Sequence, residues 1–235
     1  MRKGAGRVDF SIYGRALLYL GRNPSILAMP LLAAVIDMAV QFGGGYFTDA
    51  VGGLGGGIFA MIVQIIYLFA FGVATIQANS IARGYKTNFD DAWEEGRRKA
   101  GGILLAAIGF QFITQVAAYI GQILNLGLIV ILLTLAAYFF LIYTIPAASI
   151  GGLPGGLALS GSIRAVRANV LASVVLAIAF VALFVYLPNF AVAYFGPNLG
   201  VIGSELVLAG LRALMLAYLA FPFASTYDDI AFKLY

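Results

Sequence analysis

The chain contains no cysteine and no histidine, and only 10% of its 235 residues carry a charge. The missing residue types exclude disulfides, thiolate nucleophiles, Cys/His metal sites, imidazole acid/base chemistry and histidine ligation of haem or chlorophyll. An ordinary soluble domain carries roughly 25% charged residues. Because so little charge cannot cover a water-soluble globule, the composition predicts that lipid surrounds most of this chain.

Long apolar runs take the place of the missing charge, and 62% of the residues are hydrophobic. Several runs reach or approach the ~20 residues that a helix needs to cross a ~30 Å hydrocarbon layer. We therefore predict an all-α polytopic integral membrane protein, a single domain over residues 1–235 with six transmembrane helices. The predicted spans are residues 25–42, 55–81, 101–123, 126–146, 170–187 and 201–222. The basic N-terminus shows no small-residue cleavage site, so we expect no removable signal peptide.

The positive charges indicate how the chain crosses the membrane. Six crossings put both termini on one side, and 13 of the 14 Lys and Arg residues then fall on that side, with Arg212 inside the last span. By the positive-inside rule this side is cytoplasmic. We predict a multi-pass protein of the cytoplasmic (inner) membrane with cytoplasmic N- and C-termini. The net charge of +4 forms no long basic run, so we predict no nucleic-acid partner.

Two heptads are nearly identical, TIQANSI at residues 75–81 and TIPAASI at residues 144–150, and AFPFAST at residues 220–226 ends the sixth span comparably. An amphipathic segment precedes each pair of spans. We predict three parallel repeats of about residues 8–84, 85–152 and 153–235, each an amphipathic elbow helix followed by a transmembrane hairpin. An even number of crossings makes the repeats parallel, unlike the inverted repeats of many transporters. Alternatively, small-residue and proline motifs simply recur in membrane helices.

The second elbow, NFDDAWEEGRRKAGG, has the clearest helix-start signal. Thr87 with Asp90 three residues on fits a capping box, and acids precede bases as the helix dipole favours. Phe89 and Trp93 are predicted to lie at the headgroup level with their apolar face towards the lipid.

Ionisable residues within the spans are informative because they are costly unless paired. Counting ~1.5 Å per helical residue, Asp37 lies ~18 Å above Ser25, and Arg212 lies ~15 Å above Pro222. We predict that Asp37 and Arg212 form an ion pair that joins the first and sixth spans. Either the pair only locks the bundle or it acts in a proton or ion relay. Glu205 shares a face with Arg212 but is expected near the outer headgroups.

A polar stripe is predicted on the third span. Gln111, Gln115 and Gln122 lie on one helical face with Thr114 alongside, and in lipid such a face must contact protein or water. The stripe either makes interhelical hydrogen bonds or lines a substrate path. Further polar candidates are Gln64, Gln77 and Asn79.

The sequence gives little support to a catalytic or cofactor-binding function. The cytoplasmic acids Asp90, Asp91, Glu94 and Glu95 are typical of a first helical turn that matches the helix dipole. We predict no catalytic residue, no cofactor, no metal site and no enzymatic activity.

Three segments carry a family resemblance: RALLYLGRNPSIL, TIPAASIGGLPGGLALSGSIRAVRANVLASVVLA and FPFASTYDDIAFKLY. They resemble the multi-pass membrane domain attached to some bacterial glycerophosphodiester phosphodiesterases and its stand-alone membrane-protein relatives. The matching features are Pro146, residues 167–170 and the pair Tyr227 and Asp228. The resemblance implies a bacterial or archaeal cytoplasmic-membrane protein with a six-helix fold, a partner or scaffold of other envelope proteins, and it supplies no catalytic residues.

Two functional hypotheses follow from the sequence. The first is a non-catalytic integral membrane subunit or scaffold, with membrane lipids and other membrane proteins or a larger complex as partners. The second is a small transporter, channel or lipid-handling protein with a path lined by polar residues of helices 1, 3 and 6.

Overall fold

The regular elements are helical throughout the part of the chain that the structure describes. This structure is a computed structural model that describes residues 8–51, 53–123 and 127–234, and the side chains of these residues except 43–58, 121–122 and 232–234. The helices are α1 (Ser11–Arg22), α2 (Ala28–Val51), α3 (Gly53–Ala82), α4 (Phe89–Arg98), α5 (Ala100–Ile123), α6 (Gly127–Phe140), α7 (Thr144–Ser149), α8 (Gly156–Ala168), α9 (Val170–Phe180) and α10 (Leu187–Leu234). A 3₁₀ turn at Pro24–Leu27 precedes α2, and a π-helical segment at Val181–Tyr186 joins α9 to α10.

Membrane-length apolar helices dominate this fold. Among the described residues, five stretches are long and apolar enough to cross a bilayer: Pro24–Phe42, Phe59–Ala82, Ala100–Ile120, Gly127–Ser149 and Val170–Ala231. The chain is therefore an all-α protein with several helices of membrane-spanning length, as its composition predicts.

The fifth stretch contains two of the predicted spans. Its 62 residues would extend about 93 Å as a straight helix, about three times the thickness of a hydrocarbon core. Gly200 interrupts it with φ of 67° and ψ of −179°. A positive φ is accessible to glycine at little cost. The break therefore falls between the segments predicted as spans five and six.

The three similar heptads meet in the centre of the fold. All six residues of α7, the TIPAAS segment, are buried. The Phe71 ring, one turn before the first heptad, packs edge-on against Phe223 of the third heptad, with ring centroids 5.1 Å apart. Next to them, a Cβ added at Gly72 would lie 3.0 Å from Ile103 Cγ2 and 3.4 Å from Ile145 Cγ2. The absence of a side chain at residue 72 lets α3, α5 and α7 approach closely.

Short amphipathic helices α1, α4 and α8 precede the apolar helices α2, α5 and α9. The capping box of α4 is formed by Asn88 and Asp91, one residue later than the predicted pair. The Asn88 carboxamide oxygen accepts a hydrogen bond from the Asp91 N–H at 2.8 Å, and the Asp91 carboxylate accepts one from the Asn88 N–H at 3.2 Å. Thr87 is wrong as the cap because Asn88, itself a strong N-cap residue, directly precedes the first helical residue.

The aromatic residues predicted for this elbow stack on one another. The Phe89 and Trp93 rings are 6.4 Å apart, and Trp93 also packs edge-on against Phe69 of α3 at 6.3 Å. Trp93 remains 38% exposed. Gly96, on the next turn, lies so near α3 that an added Cβ would be 2.7 Å from Val73 Cγ2. The elbow is thus packed tightly on the core at one edge and exposed at the other.

Candidate functional site

A large cavity opens between the membrane-length helices. It has a volume of about 860 Å³ and is lined by residues of α2, α3, α5, α6, α9, the π-helical segment and α10. Most of its surface is apolar, and seven phenylalanines contribute: Phe59, Phe71, Phe110, Phe139, Phe180, Phe184 and Phe223. Its volume falls within the ~300–1,000 Å³ range of small-molecule sites, which are also mostly apolar with a few polar groups.

The predicted acidic and basic residues lie together on the wall of this cavity. Arg212 Nη1 is 3.7 Å from Asp37 Oδ2. The Asp37 carboxylate also accepts hydrogen bonds from Gln41 Nε2 at 2.9 Å and from the Tyr67 hydroxyl at 3.1 Å. Asp37 is 8% exposed, so burial and three neighbours define its environment. The structure thus brings α2, α3 and α10 together around one carboxylate.

Local helix geometry accounts for part of this arrangement. Gln41 follows Asp37 by four residues, which places both side chains on one face of α2. Tyr67 is held from the other side by Phe184, whose ring packs edge-on at a centroid distance of 6.4 Å. Phe184 belongs to the π-helical segment. Single π-helical turns are often found at functional sites, and here the wider turn carries four cavity-lining residues, Val181, Phe184, Val185 and Tyr186.

A second polar position lies on the wall formed by α5 and α6. Gln111 is 3% exposed, and its Oε1 atom has no hydrogen-bond partner within the described residues. The Thr134 hydroxyl oxygen is likewise buried without a partner there. Both residues line the cavity. Buried polar atoms nearly always have partners, so these two oxygens indicate positions where a ligand or water completes the site.

The predicted stripe on α5 divides into two parts. Thr114 is buried, and its hydroxyl lies 3.0 Å from both the Phe110 and the Gln111 carbonyl oxygens, but it does not line the cavity. Gln115 is exposed and does not line the cavity, so the stripe does not continue along the cavity wall at this position. A four-residue step rotates a helix by about 40°, which carries Gln115 beyond the buried arc that Gln111 borders. The side chain of Gln122 lies outside the described residues.

The remaining polar candidates lie in different places. Gln64 lines the cavity, whereas Gln77 is 1% exposed and its Nε2 donates a hydrogen bond to Ser25 Oγ at 2.8 Å. Asn79 and Glu205 do not line the cavity. Within residues 8–51, 53–123 and 127–234, the structure shows no ion pair for Glu205.

The sequence patterns do not indicate six further polar residues that line the cavity: Gln41, Tyr67, Thr134, Tyr138, Tyr186 and Asn189. The spacing of four from Asp37 is a signal that could have found Gln41. Tyr67 follows Gln64 by three residues, so the same reasoning could have found it. Thr134 lies in the apolar helix α6, where no local pattern distinguishes the cavity face from the lipid face.

The charged residues at the end of α4 form ion pairs at the edge of the bundle. Glu95 pairs with Arg98 at 2.7 Å and with Lys99 at 2.9 Å. The hydrogen bond from Arg98, followed by that from Lys99, holds the pKa of Glu95 below its ordinary value. Lys99 Nζ also donates to the Ser149 carbonyl oxygen at 2.7 Å, which ties the second elbow to the end of α7.

Together these features define an α-helical membrane protein of the polytopic class, with a mostly apolar cavity between its helices and an ion pair on the cavity wall. No protein-family model, no curated protein and no solved structure matches the chain.

Proposed function

We propose that this protein is a non-catalytic lipid-handling protein that binds an amphiphilic molecule in its central cavity. The observation that supports this most directly is the combination of an 860 Å³, mostly apolar cavity with the ion pair of Asp37 and Arg212 on its wall. Apolar walls suit acyl chains, and a few buried polar groups orient a headgroup. Of the two functions expected from the sequence, the cavity favours the second.

We also propose six crossings in three repeated units, with both termini in the cytoplasm. The break at Gly200 in a stretch of 62 residues supports two crossings there instead of one. The sorting of 13 of 14 positive charges supports the orientation. The central position of the three similar heptads supports common architecture of the repeats. The cytoplasmic membrane and the resemblance to the phosphodiesterase-associated membrane domain belong to the same proposal.

The scaffold hypothesis retains one supporting observation. Around the Gly200 turn, Phe190 and Tyr194 are 69% and 68% exposed, so the third hairpin offers an aromatic surface to lipids or to another membrane protein. Purification from native membranes distinguishes the two functions. A stoichiometric protein partner with an empty cavity favours the scaffold, and a bound amphiphile favours the lipid-handling function.

A cavity-filling substitution tests the lipid-handling function. Ala177 lines the cavity, so Ala177→Phe places a ring in the space that the ligand needs. Ala136 is exposed and does not line the cavity, so Ala136→Phe is the matched control. Native mass spectrometry of the purified proteins is expected to show loss of bound amphiphile in Ala177→Phe and retention in Ala136→Phe. Equal occupancy in both variants would contradict the proposal.

A further inference from the structure

We propose that the headgroup bound in this cavity is zwitterionic, with a phosphate facing Arg212 and a primary ammonium group facing Asp37. This inference rests on the proposed lipid-handling function and concerns the chemistry of its ligand. It is carried by charge balance, by the geometry of the ion pair and by the acceptors that the cavity leaves without donors.

Charge balance favours a headgroup with no net charge. Asp37 and Arg212 compensate each other on the cavity wall, at a depth where an uncompensated charge is costly. A zwitterion placed between them gives each residue an opposite charge and leaves the total at zero. An anionic headgroup would leave one negative charge in excess, and an uncharged headgroup would give neither residue a new ionic partner. The zwitterion is therefore the headgroup class that the pair accommodates best.

The ion pair is also loosely held. Its 3.7 Å separation exceeds hydrogen-bond distance, and within the described residues Arg212 donates no hydrogen bond. A guanidinium has five N–H donors arranged to bind phosphate or carboxylate oxygens in pairs. The Arg212 side chain is 27% exposed, whereas that of Asp37 is 11% exposed, so the base retains access to the cavity. A phosphate in the cavity would supply the acceptors that Arg212 lacks.

The Asp37 carboxylate can accept further hydrogen bonds. Within the described residues, Asp37 accepts two hydrogen bonds, from Gln41 and Tyr67, whereas a carboxylate offers about four lone-pair sites. On the wall of α5 and α6, the buried oxygens of Gln111 and Thr134 also lack donors within the described residues. The walls thus present unmatched acceptors, and a primary ammonium group brings three donors. The hydroxyls of phosphatidylglycerol and diacylglycerol can also donate, but they carry no positive charge to pair with Asp37.

Competition between lipids with identical acyl chains tests this assignment. Wild-type protein in a mild detergent is offered equimolar phosphatidylethanolamine, phosphatidylglycerol and diacylglycerol, and the bound species are counted by native mass spectrometry. We expect phosphatidylethanolamine to exceed each of the others by at least about tenfold, which corresponds to about 1.4 kcal/mol. Phosphoethanolamine without acyl chains, added at the same concentration, is expected not to displace the lipid; efficient displacement would assign the site to a soluble solute and overturn the lipid headgroup.

Variants of the carboxylate provide a second readout. Asp37→Asn removes the partner of the ammonium group and leaves Arg212 in excess, so the preference should shift towards anionic phosphatidylglycerol by at least about tenfold. Glu205→Gln, at an acid that does not line the cavity, should leave the preference unchanged. If phosphatidylglycerol or diacylglycerol binds the wild-type protein as well as phosphatidylethanolamine does, the zwitterion assignment is overturned while lipid handling stands. If no lipid binds in a manner sensitive to Ala177→Phe, the lipid-handling function itself fails.

Discussion

The energetic coupling between Asp37 and Arg212 gives the sharpest test of the structure. We consider Asp37→Asn, Arg212→Gln and the double variant. At a separation of 3.7 Å and an effective dielectric constant of ~20, two unit charges attract by about 4.5 kcal/mol. An unpaired charge at the centre of a membrane helix costs about 2.5–3.5 kcal/mol on the insertion scale. Because Arg212 is partly exposed to the cavity, we expect each single variant to lose about 2–3 kcal/mol.

The double variant should be more stable than the sum of the two single losses implies. Removing both charges leaves no ion uncompensated, so its loss should be about 1 kcal/mol, mainly from hydrogen bonds to Asp37 that asparagine cannot fully replace. The expected coupling energy is therefore about 3–5 kcal/mol, at or above the upper limit of about 3 kcal/mol for neighbouring residues. A coupling energy below about 0.5 kcal/mol would refute the assignment of a charge interaction to this pair.

Equilibrium unfolding in mixed micelles measures this coupling. Trp93, the single tryptophan of the chain, packs on Phe69 of α3 and reports separation of the elbow from the core. Hydrogen exchange in α2 and α10 provides an independent readout at the pair itself. Glu205→Gln is the matched control, because it neutralises an intramembrane acid for which the described residues show no ion pair. Its loss should be within about 0.5 kcal/mol of zero.

Three further predictions concern packing, topology and pH. Gly96→Ala should lower the free energy of unfolding by about 1–3 kcal/mol because its Cβ would lie 2.7 Å from Val73 Cγ2. Thermal unfolding should show that adding Val73→Ala restores most of this stability. Additive losses from the two substitutions would contradict the contact. In the cysteine-free chain, intact cells should label Asn198→Cys but not Lys86→Cys with an impermeant maleimide, and the reverse pattern would overturn the proposed orientation. The lowered pKa of Glu95 predicts that its stabilisation of α4 is complete above its ordinary pKa of about 4.3 and is lost as pH falls through the lowered value. The protection factors of the α4 amides, which are corrected for the pH dependence of intrinsic exchange, should fall there in wild type more than in Glu95→Gln.

The composition and the positions of charged residues along the spans predict two features of this fold, the membrane-length helices and the ion pair between them. Membrane-length helices follow directly from apolar run length. Asp37 and Arg212 could be matched because both are ionisable, lie at similar depths and are costly unless paired. The capping box of α4 was placed one residue early because Thr87 and Asn88 are both suitable caps. Such ambiguity between neighbouring caps is resolved only by the backbone conformation.

The cavity was not predictable from the same patterns, for a physical reason. In a soluble protein the buried face of a helix is apolar and the outer face polar, whereas in lipid both faces are apolar. Gln115 and Gln111 are therefore equivalent in the sequence, although the first is exposed and the second is buried beside the cavity. The π-helical segment has no distinctive residues either, and VALFVY is an ordinary apolar run. These features depend on how the helices pack against one another.

The dense contact among the three heptads has an electrical consequence. Thr75 and Thr144 have no measurable exposure and Gln77 is 1% exposed, so solvent does not reach these polar side chains at the end of the bundle nearest the elbow helices. We therefore expect no continuous column of water past these three residues, and no conduction of ions or protons along it. Cells that overproduce this protein should therefore retain their membrane potential, even though the protein carries the Asp37 and Arg212 ion pair.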